Sequence, residues 1–149
     1  MTPSLRDRAL RYLAQREHGR QELARKLARH ASSEEDVEAV VDDLATRGLV
    51  SDQRYAECWV RAHAPRQGDR ALRHALTRAG VASDTIDATL KEAERPDELI
   101  RARQIWARKF GHEPQDRQEW ARQARFLQSR GFPTEIIRQV LKDCHDEPA

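Results

Sequence analysis

Apolar residues recur every three or four positions along most of the chain, and no alternating apolar and polar run is long enough for a strand. This period places the apolar side chains on one face of a helix. Alanine, leucine, arginine, glutamate and glutamine, which favour helix, fill the same stretches. The pattern predicts an all-α protein with helices at 5–16, 20–29, 34–47, 52–64, 69–79, 83–94, 97–110, 115–130 and 134–143.

One sequence pattern is used more than once. Leu76–Leu90 reads LTRAGVASDTIDATL and Leu127–Leu141 reads LQSRGFPTEIIRQVL, with leucine, glycine, a hydroxyl residue, isoleucine and leucine at the same offsets. The match continues upstream, where it pairs Tyr55 with Trp106, and a fainter copy lies 49 residues before the first. Small helical units of this kind bury little surface alone and stack on their neighbours. We therefore predict three tandem three-helix repeats, elongated overall, at 1–49, 50–95 and 96–145, with a short tail at 146–149.

Turn and cap residues separate the predicted helices. Gly48, Gly80 and Gly131 suit the left-handed position that follows a helix. Ser83 and Thr134 are expected to cap the helices after them, because a side-chain hydroxyl can accept a bond from a free helix N–H.

The large apolar residues are expected in the core because of their helical spacing. This applies to Ile86, Leu90, Ile137 and Leu141. For the three tryptophans the core is also the first interpretation, and a platform for stacking nucleic-acid bases is the alternative; they are Trp59, Trp106 and Trp120.

Charge follows the same repeat, although the net charge of the chain is only +2. The segments 1–30, 31–53, 54–80, 81–98, 99–130 and 131–149 carry net charges of +5, −6, +4, −4, +5 and −2. The first two helices of each repeat are thus basic and the third is acidic. A repeated excess of one sign predicts a basic track for a phosphate backbone or an acidic protein surface.

The basic side chains are predicted to face solvent. Arg25 and Arg29 lie two positions from Leu23 and Leu27, which is about 200° around a helix of 3.6 residues per turn. The alternative is a solvated helix face stabilised by salt bridges between residues four positions apart, such as Glu22–Lys26.

The residues around Gly80 also fit a DNA-reading helix-turn-helix. However, the helix that would enter the groove carries Asp84, Asp87, Glu92 and Glu94, which DNA phosphates would repel. A sequence-specific regulator is therefore disfavoured.

No catalytic chemistry is indicated. The chain has no phosphate-binding glycine loop, its six histidines lack metal-site spacing, and no nucleophile lies beside a base. We expect a protein that is not an enzyme and uses no cofactor or metal. Two cysteines without a pairing pattern, and the lack of a long apolar run, predict a soluble cytoplasmic protein.

Two stretches, YLAQREHGRQELARKL and GLVSDQRYAECWVRAHAPRQGDRALRHALTRAGV, resemble the RecX family of recombination regulators. The resemblance runs from Leu5 to about Leu141 and is most specific in the first two repeats. The connector HAPRQGDR departs from the family's usual glycine-rich connector, and Asp69 stands where the family usually has a small, basic or proline residue.

The resemblance implies a cytoplasmic protein of three three-helix repeats that binds the RecA recombinase filament on DNA. It further implies inhibition of RecA's ATPase and strand exchange, and so restraint of homologous recombination and the SOS response, which places the family in DNA repair. Family members are also reported to bind DNA, and a monomer is expected. The predicted RecA- and DNA-binding residues are Arg20, Arg25, Lys26, Arg29, Arg61, Arg66, Arg70, Arg73 and Arg78. A stand-alone nucleic-acid-binding protein and a helical adaptor for another protein are the alternatives.

Overall fold

The computed structural model describes residues 2–141, and no strand occurs among them. The helices are α1 Leu5–Gln15, α2 Arg20–Ala28, α3 Glu34–Thr46, α4 Asp52–His63, α5 Asp69–Arg78, α6 Ser83–Glu92, α7 Glu98–Lys109, α8 Arg117–Ser129 and α9 Thr134–Val140. A turn of 3-10 helix, Ala64–Arg66, follows α4. The predicted all-α fold is confirmed, and every predicted helix has its counterpart. The predicted end of the last helix, Asp143, lies outside the described residues.

The helix ends agree only in part with the predicted turn and cap residues. Gly48, Gly80 and Gly131 all have positive φ, as expected for residues that follow a helix. The prediction that Thr134 caps α9 is wrong: Thr134 is the first helical residue, and Pro133 holds the cap position without a side-chain bond. Ser83 likewise lies inside α6 as its first residue.

The chain divides into two compact units. Unit 1 is the chain up to Trp59 together with Leu76–Lys91, and unit 2 is Val60–Ala75 together with the chain from Glu92 onward. Residues of the second predicted repeat therefore belong partly to each unit. The predicted repeat borders stay a prediction.

Each unit has its own apolar core. In unit 1, residues of α1, α2 and α3 form a cluster that includes Leu23, Leu27 and Leu44, all fully buried. In unit 2, α7, α8 and α9 form a second cluster around Leu127 and Phe132, against which Trp106 and Trp120 pack. Ile86, Ile137 and Leu141 are buried as predicted, whereas Leu90 is only half-buried.

In unit 1, the start of α4 reaches back to the start of α2. The Asp52 carboxylate accepts the N–H of Arg20 (2.8 Å), which is a first-turn helix donor with no partner inside α2. Near the same end of α4, Arg54 donates to Glu17 (3.0 Å) and to the carbonyl of Gly48 (2.8 Å). The first turn of α4 thus completes the hydrogen bonding of the turn that precedes α2.

Unit 2 repeats this arrangement three helices later, between α7 and α5. The Glu98 carboxylate, at the first position of α7, accepts the N–H of Asp69 at the first position of α5 (2.9 Å). Burial raises the pKa of Glu98 above its ordinary value and the nearby Asp69 charge adds to this, while the bond from the Asp69 N–H opposes it. The Asp69 carboxylate itself pairs with Arg95 (2.9 Å).

We call the contact between the starts of α4 and α2 the first junction, and that between the starts of α7 and α5 the second junction. The second junction contains a buried arginine. Arg101, one turn into α7, is 1% exposed. Its guanidinium donates to the carbonyl oxygens of Ala64 (3.0 Å), Pro96 (3.2 Å) and Gln67 (3.1 Å), and to the carboxylate of Asp69 (2.8 Å). A buried charge is tolerable only when it is paired and hydrogen-bonded. Arg101 satisfies this condition by holding the chain between α4 and α5 against α7.

Two glycines bring this same chain segment against the turn between α8 and α9. The N–H of Gly68 donates to the carbonyl of Arg130 (2.6 Å), and the N–H of Arg70 donates to the carbonyl of Gly131 (3.2 Å). A Cβ on Gly68 would lie 2.5 Å from the Gly131 oxygen, and a Cβ on Gly131 would lie 2.3 Å from that of Ala71. Glycine at both positions is therefore required for the backbones to approach.

A buried histidine organises the turn between α1 and α2. His18 is fully buried; its Nδ1 lies 3.0 Å from the carbonyl oxygen of Arg16, and its Nε2 lies 2.8 Å from Nζ of Lys26. A carbonyl only accepts and an ammonium only donates, so the ring must be neutral with its proton on Nδ1. Lys26 is also 4.9 Å from the ring centre of Tyr12.

We predict that Arg101→Leu lowers the free energy of unfolding by about 3–5 kcal/mol, because three carbonyls lose a donor and the half-buried Asp69 loses one of its two arginine partners. Urea unfolding followed by circular dichroism measures the change. Arg103→Leu, at an exposed position on the same helix, is the control and should shift stability by less than about 0.5 kcal/mol. Equal stability of the two variants would show that Arg101 is not a structural anchor.

We predict that His18 makes stability depend on pH. Burial lowers the pKa of His18 below its ordinary value of 6.5. As pH falls, the His18 ring is therefore protonated in the unfolded state before it is protonated in the folded state. The contribution of His18 to the free energy of unfolding is fully present above pH 6.5 and is lost as pH falls below that value.

Urea midpoints between pH 7.5 and 5.5, compared for the protein and for His18→Gln, isolate this effect. The slope attributable to His18 should disappear in His18→Gln and persist in His30→Gln, which changes an exposed histidine of the same unit. An unchanged slope in His18→Gln would contradict the assignment.

Candidate basic interface

The nine predicted binding residues are divided between the two units. Unit 1 contains five of them: Arg20, Arg25, Lys26, Arg29 and Arg78. Unit 2 contains the other four: Arg61, Arg66, Arg70 and Arg73. No observation tests their part in binding, so the assignment stays a prediction.

Most of the nine side chains face solvent because of the helical period. On α2, Leu23 and Leu27 are fully buried, whereas Arg25 and Arg29 are exposed. On α5, the same division puts Leu72 and Leu76 in the interior and leaves the arginines on the outside, namely Arg70, Arg73 and Arg78.

Two of the nine residues already have partners within unit 1. Arg20 is half-buried and forms an ion pair with Asp42. Lys26 contacts His18 and lies 4.0 Å from the Glu22 carboxylate. Arg16 donates two hydrogen bonds to Glu22 and lowers the pKa of that carboxyl, so Glu22 stays ionised beside Lys26. A partner's anion would have to compete with these internal contacts.

Six of the nine residues have no carboxylate within 4.0 Å in the part of the chain that the structure describes. They are Arg25, Arg29, Arg61, Arg66, Arg70 and Arg78. The alternative of a face stabilised by pairs four residues apart therefore describes Lys26 and Glu22 but not these six arginines. Exposed cations without internal partners are available to an external anion.

A groove of about 560 Å³ lies between α2 and the beginning of α3 in unit 1. Its lining includes the apolar residues Ala24, Ala28 and Val37, together with Arg25 and two carboxylates of α3, Glu34 and Glu38. A lining that combines apolar side chains with both signs of charge suits a protein partner. The carboxylates would repel a phosphate backbone that entered this groove.

The structure also places acidic side chains on the helix that a helix-turn-helix would use for reading DNA. Asp84 and Asp87 of α6 are exposed. The electrostatic objection to a DNA-reading α6 therefore applies to the folded protein.

Basic residues of the third predicted repeat gather around an aromatic ring. Lys109 and Arg130 lie over the ring of Phe126, and Arg66 and Arg108 line the same cavity. Sequence reasoning did not identify Arg108 and Lys109, because the only available signal was the positive sum over 99–130.

The described residues contain neither a candidate metal-binding cluster nor a candidate membrane-spanning helix. Among residues 2–141, no group of three or more histidine, cysteine or carboxylate side chains is placed to hold a metal ion. Within the same residues, every helix is too short or too polar to cross a bilayer.

Three family models match the chain in consecutive order. Residues 6–44 match the first three-helix domain of RecX, residues 51–90 the second, and residues 97–141 the third. The prediction of three three-helix repeats is therefore confirmed.

Relatives and solved structures agree with this match. The chain is 50% identical to the regulatory protein RecX of Leptothrix cholodnii over 93% of this chain and 88% of the relative, and 43% identical to that of Chromobacterium violaceum over 97% and 93%. Its fold matches the crystal structure of RecX from Lactobacillus salivarius with a TM-score of 0.77 at 20% identity, covering 94% of both chains. It matches a second crystal structure, of a regulatory protein RecX, with a TM-score of 0.78 at 23% identity, covering 93% of this chain and 70% of that one. The order of the domains, the extent of the identity and the fold all lead to one conclusion: the chain belongs to the RecX family of regulatory proteins.

Proposed function

We propose that this protein binds the RecA recombinase filament on DNA and inhibits its ATPase and strand exchange. In the cytoplasm it would thereby restrain recombination and SOS induction. It acts by binding alone, without a catalytic step. The observation that carries the proposal is the match to all three RecX domains over nearly the whole chain.

The surface of unit 1 supports a protein partner. The groove between α2 and α3 combines alanine and valine with Arg25, Glu34 and Glu38. Such a mixed lining suits a protein segment that brings both apolar and charged side chains. We propose that this groove takes part in filament binding.

The distribution of the exposed arginines supports contact at more than one place. Unit 1 contributes Arg25, Arg29 and Arg78, and unit 2 contributes Arg61 and Arg70. A filament presents the same surface many times, and linked weak contacts add through effective concentration. We therefore expect binding to be much stronger to the filament than to RecA in solution.

The proposal predicts inhibition of RecA's DNA-dependent ATPase at well below one molecule of this protein per RecA. The measurement titrates the protein into RecA on single-stranded DNA, alongside DNA binding by the protein without RecA. Inhibition that appears only when the protein saturates the DNA would indicate simple competition for DNA. No inhibition, or stimulation, would contradict the proposal.

The groove adds a prediction at Arg25. Arg25→Gln should raise the concentration for half-maximal inhibition by about threefold to tenfold, as expected when one charged side chain is removed from an interface. Arg11→Gln, an exposed arginine of α1 in the same unit, is the matched control and should leave it unchanged. The same result for both variants would exclude the groove as a binding surface.

A further inference from the structure

Unit 2 contains a second cavity, of about 270 Å³, whose charged lining is entirely positive. Helices α7 and α8 and the 3-10 turn after α4 form it. The six lining residues are Arg66, Ile105, Arg108, Lys109, Phe126 and Arg130.

Three of the four cations are held in place by the protein. Lys109 Nζ and Arg130 Cζ lie 5.5 Å and 5.0 Å from the ring centre of Phe126, so one ring attracts both charges. Arg108 donates to the carbonyl of Pro65 (3.1 Å). The positive charges are thus positioned before any ligand arrives, which reduces the entropy cost of binding.

These cations have no anionic partner in the described chain. No carboxylate of residues 2–141 lies within 4.0 Å of any of the four, and all four side chains are exposed. Four like charges around one small cavity repel each other, and a bound anion would relieve this repulsion.

The lining also distinguishes between kinds of anion. Its polar side chains only donate hydrogen bonds, since arginine and lysine have no acceptor. A peptide strand would bring backbone N–H groups that need acceptors, whereas phosphate oxygens only accept. Three of the four cations are arginines, whose planar forks suit phosphate.

The aromatic ring does not offer a base-stacking surface. Phe126 already contacts two cations, and the edge of Phe110 meets it at a centroid distance of 5.4 Å. The expected ligand is therefore recognised through its backbone, without regard to base sequence.

We propose that this cavity binds the phosphodiester backbone of DNA. Except for Arg66, its cations lie outside the nine residues assigned from the first two repeats. The site works without RecA, so it does not depend on the proposed inhibition of the recombinase.

The test compares two double variants with equal charge change on the same two segments. Arg108→Gln with Arg130→Gln removes two cavity cations, and Arg103→Gln with Arg125→Gln removes two exposed arginines that do not line the cavity. Fluorescence anisotropy measures binding to a labelled oligothymidylate at several salt concentrations, without RecA. Urea midpoints verify that both variants fold.

The cavity variant should bind about tenfold more weakly. Its plot of log K against log salt should be shallower by about 0.7 for each phosphate that the protein no longer neutralises. The control variant should keep most of the affinity and the slope. If the cavity double variant is destabilised, Lys109→Gln provides the same comparison with one charge removed.

Three results would overturn the proposal. Equal weakening in both double variants would indicate diffuse charge attraction. Undetectable binding of oligothymidylate by the unchanged protein would exclude a DNA site. A cavity variant that binds DNA normally but fails to bind a polyglutamate peptide would assign the cavity to an acidic protein segment.

Discussion

The arrangement of this protein depends on hydrogen bonds that reach backward along the chain from the first turn of one helix to the start of an earlier one. In unit 1, Asp52 accepts the first N–H of α2; in unit 2, Glu98 accepts the first N–H of α5. An arginine shortly after each of these carboxylates, Arg54 or Arg101, bonds the chain next to the same helix start. Helix N-termini carry unsatisfied donors and partial positive charge, so a carboxylate is the suitable partner.

The second junction gives a structural role to Asp69 and to the connector that contains Pro65. Asp69 supplies the carboxylate that pairs with Arg95 and Arg101, and the segment with Pro65 provides carbonyls for Arg101 and Arg108. A buried guanidinium requires nearly all of its donors to be used. The connector is thereby held firmly, and it carries Arg66 to the edge of the positive cavity.

The sequence predicted the helices well because their signal is local. The spacing of Leu23 and Leu27, and glycines such as Gly131, depend on neighbours within one or two turns. The junctions were not predicted, since Arg101 bonds carbonyls 34 and 37 residues away that have no sequence signature. Summed charge located basic segments but did not distinguish a buried Arg101 from an exposed Arg108. It also did not show that Lys26 is held by a buried histidine.

The junction bonds can be observed directly through amide hydrogen exchange measured by NMR. The N–H groups of Arg20 and Asp69 should exchange slowly although they lie in first helical turns, because Asp52 and Glu98 accept them. The N–H of Arg6, in the first turn of α1, bonds no group within residues 2–141 and should exchange fast. Asp52→Ala should make the N–H of Arg20 exchange fast and leave the exchange of the Asp69 N–H unchanged. Exchange at Arg20 and Asp69 as fast as at Arg6 would contradict the account.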